Sequence, residues 1–580
     1  MRQVRWWNDG DAGVAEVVLG HVQRDPGALA VAEVTGSGPA GRLLGWTYGE
    51  LHQRAAAVAA HLQAECAPGD RVMLLYPVDR VFTAAFLGCL YAGVGSVVVP
   101  LPGGSDLQRR RARAVAADSD VRVLLTDSAN ADAVREWAAA TGLSDVDVLA
   151  TDTEGYADPA DFRPVRWDGD TLALLQYTSG STGTPKGVVV RNKHLIANAR
   201  AYATALGNPA APRYGGWIPM FHDMGLLMQM VPSLLSGAAD ILMTPASFVR
   251  DPWVWLDAIG RYGITCSAAP NFAYDFCVRR IAPERVAALD LSGWEHAINA
   301  SEPVRMSTMT AFAKHFAAAG FRERSFVPLY GLAEATVFSS ATSGRDPQDA
   351  QVDAGALGRG EFTPARPGAP VRTVVSCGSP VATEEVRVVD PVTHRPQPPG
   401  RVGEIWMRGQ SLADGYWCKQ AATESTYRVT SPGDPTPFLR TGDLGVHHDG
   451  ELYITGRLKE VLIVRGRNLY PHDIEHELRT HHPELGNVGA AFCVPATDHP
   501  DDEPGPDELV VAHEVRETDP GVLATLATAM KTTVAREFGV SVADIVLVPP
   551  GGVPRTTSGK IQRSIMREQY LADRVTGEDA

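Results

Sequence analysis

Cysteine is scarce and scattered. The 580-residue chain has seven, Cys66, Cys89, Cys266, Cys277, Cys377, Cys418 and Cys493, and none forms a C-x-x-C pair. Neither a disulfide framework nor a zinc ribbon is indicated, and a reducing cytoplasm suits the chain best. Long apolar runs are missing as well. The best, Val94 to Leu101, is strand-sized, far short of the about 18 residues that a membrane helix requires. Met1 to Gly10 lacks the basic start and apolar run of a secretory signal, so a cytoplasmic protein with no membrane span is expected. Positive charge is in deficit: 53 Lys and Arg stand against 68 Asp and Glu, a net charge of −15. Such a chain is a poor general partner for nucleic acid, which rewards a net of cations. The cluster Arg109, Arg110, Arg111 and Arg113 reads as a solvated helix face. No internal repeat is visible.

What is there suits a multi-domain α/β enzyme. The length exceeds one ordinary core, and 44% hydrophobic with 21% charged residues is a normal globular balance. Strand-like Arg71 to Tyr76, Val97 to Pro100, Val121 to Thr126 and Leu172 to Tyr177 alternate with helix-like Val81 to Tyr91 and Lys193 to Ala205. That order predicts substantially parallel sheets. Gly344 to Arg372 is rich in Gly, Pro, Ala and Asp with little periodicity, and reads as an inserted surface segment outside the core. A compact final unit begins near Lys459, with strands at Val461 to Val464 and Leu509 to Ala512, helices from Pro471 and across Val522 to Phe538, and a Gly/Pro-rich loop ending at Lys560. His472-Asp-Ile-Glu-His476 sets two histidines one turn apart. With Asp at its second position and no third ligand in view, it reads as a helix start behind Pro471, its acids at the positive end of the dipole.

The strongest chemical signal is Thr178-Ser-Gly-Ser-Thr-Gly-Thr-Pro-Lys186-Gly187. Small residues let backbone N–H groups approach phosphate oxygens, hydroxyls add donors, and Lys186 adds charge. Lys186 sits between Pro and Gly, so this is not the Walker pattern, and the spacing of a nucleophile elbow is absent.

The loop resembles the phosphate-binding motif of the superfamily of acyl-CoA synthetases, peptide-synthetase adenylation domains and luciferases. Five more motifs follow in that superfamily's order: Trp217-Ile-Pro-Met-Phe-His-Asp-Met-Gly225, Tyr330-Gly-Leu-Ala-Glu334-Ala-Thr336, Arg440-Thr-Gly-Asp443-Leu, Gly456-Arg457-Leu-Lys459-Glu460 and Pro554-Arg-Thr-Thr-Ser-Gly-Lys560. The resemblance implies a large adenylate-forming domain over 1–458, with parallel-sheet α/β subdomains and a small β subdomain, and a small mobile α/β domain over 459–580 hinged at Lys459. It implies ATP and Mg²⁺ as cofactors. Thr178, Ser179, Gly180, Ser181, Thr182, Gly183 and Lys186 would hold phosphate, and Glu334 with Thr178 would hold the metal, a hard cation that takes oxygen ligands. Asn299, Ala300, Ser301, Gly331 and Ala333 would also bind the nucleotide, and Tyr330 would lie beside the adenine. Asp443 would accept from the ribose hydroxyls beside Arg457. Lys560 would neutralise charge where the carboxylate attacks, with Gly559 giving its loop freedom to deliver and retract it. His222 joins Glu334 and Lys560 as a candidate catalytic residue.

Within that superfamily the chain resembles the fatty acyl-AMP ligases. An insertion at about 340–373 leads into Val375-Ser-Cys-Gly-Ser-Pro380, and Leu87-Gly-Cys-Leu-Tyr-Ala-Gly93, Pro270-Asn-Phe-Ala-Tyr274, Ala300-Ser-Glu-Pro-Val-Arg305 and Arg465-Gly-Arg-Asn-Leu-Tyr-Pro471 are similar to that family too. Its members make an acyl-AMP, then pass the acyl group to the phosphopantetheine thiol of an acyl carrier protein, and the insertion goes with poor use of free coenzyme A. No carrier segment follows, so a stand-alone carrier protein is the expected partner. One departure stands out. The family places small glycines after the His222 motif, where this chain has Met228, Gln229 and Met230, so with Phe272 these residues are expected to shape a shortened or unusual acyl pocket. An acyl-CoA ligase and an adenylate-forming amide ligase remain alternatives, as does a silent nucleotide- or acyl-binding regulator. Intact Lys186, Glu334, Asp443 and Lys560 weigh against the last.

Overall fold

The computed structural model describes residues 13–36, 41–103, 106–178, 185–464, 467–495, 507–556 and 559–578. The alternating segments of the first half form a six-stranded sheet in the spatial order Asp147–Ala150, Val121–Thr126, Arg71–Leu74, Gly95–Val98, Leu172–Thr178, Lys186–Arg191. Met73, Val97, Leu124 and Leu175 enter one core, and Val72, Val98, Val123 and Leu174 another. Successive side chains of a strand point to opposite faces, so these continuous apolar runs mark strands buried on both sides. All neighbours are parallel except Leu172–Thr178 and Lys186–Arg191, which pair antiparallel with Thr178 opposite Lys186. The connection between them is too short for a parallel crossover, which takes a dozen residues or more.

A nine-stranded sheet lies beside it. Phe326–Tyr330, His296–Asn299, Cys266–Ala269, Tyr214–Gly216 and Asp240–Leu242 run parallel through its centre. An antiparallel β unit follows. Its hairpin Asp434–His448/Glu451–Arg457 turns at Asp449 and Gly450, whose φ values of 50° and 81° suit a tight Asp-Gly turn. The register of that hairpin sets Asp443 opposite Arg457.

The last unit is a three-stranded sheet, Leu485–Val494, Glu508–Val515 and Asp544–Val548. Val511 packs with Ile474, Leu478, Met530 and Val534 on one side, while Val510 and Ala512 pack with Phe492, Val553 and Met566 on the other. Helices therefore cover both faces. The helix Pro471–His481 begins with Pro471 in its first turn, as expected for the His472–His476 segment. Buried Glu475 accepts from Ala491 N–H and pairs with Arg563, which also reaches Glu460 at 2.7 Å. No described helix is long and apolar enough to cross a membrane.

Two expectations change. The strand expected at Val97 to Pro100 is Gly95–Val98. The segment Gly344 to Arg372 is not merely a surface insertion. Asp349–Asp353 pairs antiparallel with Val371–Val375, and Val352, Leu357, Phe362 and Val374 share a small core with Leu444, Val446, Tyr453 and Tyr470. Its partners come from about 90 residues downstream, so local periodicity could not reveal it. Arg372, in that hairpin, forms an ion pair with Asp473 and stacks 5.8 Å from the Tyr470 ring centroid.

Candidate active site

Thr178, Asn299 and Tyr330 are the last residues of their parallel strands, and His222 follows Tyr214–Gly216 by a short loop. The carboxyl ends of such strands leave a crevice where ligands bind. Ser179, Gly180, Ser181, Thr182 and Gly183 lie outside the described residues. Their flanks, Thr178 and Lys186, face each other in register.

Three clusters meet at this crevice. In the first, Glu334 sits on the single turn Ala333–Ala335 and its Oε1 accepts from the Tyr416 hydroxyl at 2.8 Å. The Lys186 ammonium lies 4.9 Å from the centroid of the same tyrosine ring. The backbone after Tyr330 is tightly wound. A Cβ on Gly331 would overlap the Val337 carbonyl oxygen, and Thr336 and Val337 hold φ of 54° and 81°, a left-handed conformation that costs a β-branched residue energy and persists at functional sites. Thr336 Oγ1 secures it by donating to Ser411 C=O at 2.6 Å.

In the second cluster, Tyr330 donates to Asp443 Oδ2 at 2.8 Å, and Arg457 Nε lies 3.0 Å from Asp443 Oδ1. Burial, and then the Asp443 carboxylate, hold the Tyr330 phenol well above its ordinary value, so it stays a donor. Asn299 is fully buried beside these strands. Its Nδ2 donates to Asn271 Oδ1 at 2.9 Å, and its Oδ1 has no partner among the described residues. A buried acceptor left open is costly and suits the amino group of an adenine. Ala300 is buried and Ser301 is exposed at φ 73°.

In the third, His222 caps a helical turn with Nδ1 2.7 Å from Asp223 Oδ1. Burial opposes ionisation of Asp223, but His222 and the Lys560 ammonium outweigh it and hold that carboxyl down at about 2. Lys560 thus stands near enough to the crevice for its charge to be felt there. Gly559 takes φ 85°, and beside it Thr556 N–H donates to Lys560 C=O and Lys560 N–H to Thr556 Oγ1. The clusters are connected. Arg457 feels the Glu334 charge, and Gln176 Nε2 donates to Phe221 C=O at 3.3 Å.

The expected acyl-pocket residues fall in two places. Met228, Gln229 and Met230 are buried on a π-helical turn, Leu226–Met230, a wide turn often found at functional sites. Gln229 Nε2 donates to Asp240 Oδ1 at 2.8 Å, and its amide oxygen fills space that a Cβ on Gly216 would occupy. Phe272 is half-exposed, edge-on to Trp217 at 6.1 Å. Lys459 is exposed on the turn Leu458–Glu460 that follows Arg457. Sequence reasoning missed Asp223, Asn271 and Tyr416. The last lies in Ala413-Asp-Gly-Tyr-Trp417, where a turn before two aromatics is the only local signal.

The AMP-binding enzyme family matches residues 20–417. The chain is 38% identical to the medium-chain-fatty-acid–[acyl-carrier-protein] ligase JamA of Moorena producens, over 90% of each chain. It is 36% identical to the 4-hydroxyphenylalkanoate adenylyltransferase of Mycobacterium tuberculosis, over 93% of this chain and 89% of that one. Among solved structures, the fatty acyl-adenylate ligase of L. pneumophila in complex with acyl adenylate and pyrophosphate is similar at a TM-score of 0.75 and 34% identity, covering 97% of this chain and 96% of that one. The chain belongs to the AMP-binding enzyme family, as an adenylate-forming ligase of the fatty acyl-AMP ligase type.

Proposed function

We propose that this enzyme condenses a medium-chain fatty or related acid with ATP to give acyl-AMP and pyrophosphate, then passes the acyl group to the phosphopantetheine thiol of a separate acyl carrier protein. The observation that carries the reading is the pair of charged clusters from distant parts of the chain, Lys186 and Glu334 on the Tyr416 side chain and Asp443 between Tyr330 and Arg457, beside the ends of parallel strands. Bound Mg²⁺-ATP supplies an electrophilic α-phosphorus and a pyrophosphate leaving group. Lys186 and Glu334 hold the phosphate end, Glu334 as the carboxylate that, with phosphate oxygens and Thr178, completes an oxygen shell for magnesium. Asp443 orients the ribose, and the open Asn299 oxygen receives the adenine amino group. Lys560 draws the two anionic reactants together and offsets the charge that builds as they join. His222 presents Nε2, its Nδ1 being committed to Asp223. Residues 459–580 act as a mobile unit about Lys459, closing the crevice against water in the first step.

Met228 and the clamped Gln229, bulky where the family has small glycines, shorten the acyl pocket.

The test is pyrophosphate release with ATP, Mg²⁺ and acids from C4 to C18, with hydroxylamine trapping the adenylate. Release should peak at medium length and fall at least 100-fold in Lys560→Ala, the scale of losing a charge that stabilises a transition state. A C16–C18 preference would refute the short pocket, and acid-independent release would refute adenylation.

A further inference from the structure

The segment Ser411–Trp417 touches the stretches that carry Glu334 and Lys186. Ser411 C=O receives the Thr336 hydroxyl, and Ala413 N–H donates to Glu334 C=O. Val189 N–H donates to Gly415 C=O, and Trp417 N–H to Gly187 C=O. The segment is itself anchored. Asp414 pairs with Arg191 and lies 3.4 Å from His194 Nε2, and the hydrogen bond to His194, then Arg191, holds its carboxyl far below the ordinary range. Gly415 takes φ 143°, and a Cβ there would run into Thr423. Tyr416 N–H donates to Thr423 Oγ1 at 2.9 Å. A strap pinned at so many points presents one side chain inward, Tyr416.

That side chain meets two of the proposed phosphate-end residues at once. Its hydroxyl donates to Glu334 Oε1 at 2.8 Å, and its ring face lies 4.9 Å from the Lys186 ammonium. A hydrogen bond to a carboxylate fixes one oxygen and leaves the other to turn outward. An aromatic face attracts an ammonium without neutralising it. Glu334 and Lys186 are 148 positions apart, and both meet this one side chain. We infer that Tyr416 is a positioning residue that presets the Glu334 carboxylate and the Lys186 ammonium for a metal-bearing triphosphate. The inference rests on the adenylating reading above and adds to it the residue that aligns the metal carboxylate with the phosphate lysine.

Calorimetric titration with ATP, with and without Mg²⁺, separates the two contacts. Tyr416→Phe keeps the ring and loses the hydroxyl. It should weaken Mg²⁺-ATP binding about tenfold, the scale of one hydrogen bond to a charged group, and leave metal-free ATP binding within twofold. In a Glu334→Gln background the same change should add less than twofold. Tyr416→Leu should weaken ATP binding with or without metal, because Lys186 also loses its ring. In turnover, Tyr416→Phe should raise KM for Mg²⁺-ATP and leave KM for the acid unchanged, a split that a general loss of folding would not give. Wild-type affinity in Tyr416→Phe, an undiminished penalty in the Glu334→Gln background, or a thermal midpoint that collapses in Tyr416→Phe would each overturn the positioning role alone. Failure of the wild-type protein to bind ATP at all would overturn the adenylating reading, and this inference with it.

Discussion

Asp240→Asn should change how stability depends on pH. Asp240 is 1% exposed at the start of a central strand. Oδ1 accepts from Gln229, while Oδ2 has no partner among the described residues. Burial pushes the carboxyl up from 3.8 to about 7, and the Gln229 bond reverses only part of that. The folded protein therefore holds a proton that the unfolded chain releases above 3.8. The stability this gives is fully present below pH 3.8 and is lost as pH rises through about 7. Each unit is worth about 1.4 kcal/mol, and the slope halves at the folded value, so the loss from pH 5 to pH 7 is about 2.3 kcal/mol. Asparagine keeps the shape and the bond from Gln229. Scanning calorimetry from pH 5 to pH 8 measures the difference. The midpoint of the wild-type protein should fall relative to Asp240→Asn by roughly 2 °C, nearly all of it below pH 7.5. Parallel curves would show that Asp240 ionises at its ordinary value and that the floor beneath the π-helical turn is wetter than its burial implies.

Two further outcomes follow from other contacts. Asp443→Asn leaves Tyr330 its acceptor but removes the charge facing Arg457, so the KM for ATP should rise about tenfold with the KM for the acid unchanged in steady-state assays. Arg372→Ala removes the ion pair that ties the 349–375 hairpin to Asp473, which should raise transfer to free coenzyme A relative to carrier protein, read as acyl-CoA formed per adenylate. An unchanged ratio would mean that this contact does not restrain the last unit.

The candidate residues that the sequence marked carry local signals. A Gly/Ser/Thr loop behind a strand, a Glu four residues past an aromatic, and an Asp in a Thr-Gly-Asp turn each carry their chemistry in a few adjacent letters. The alternation of apolar runs with helical segments gave the parallel sheets for the same reason. What escaped depends on distance. Tyr416 matters only because Glu334, 82 residues before it, receives its hydroxyl. The hairpin at 349–375 looked like loop because each strand contributes few large apolar residues, Val352 and Val374 among them, and its core is completed by Leu444, Tyr453 and Tyr470.

Arg563 joins Glu460, next to Lys459, to Glu475 on the helix Pro471–His481, three residues after Lys560. That guanidinium ties the helix that follows Lys560 to the turn that holds Lys459. On the proposed swing about Lys459 the lysine would travel with the whole unit, and making the adenylate and spending it would take turns.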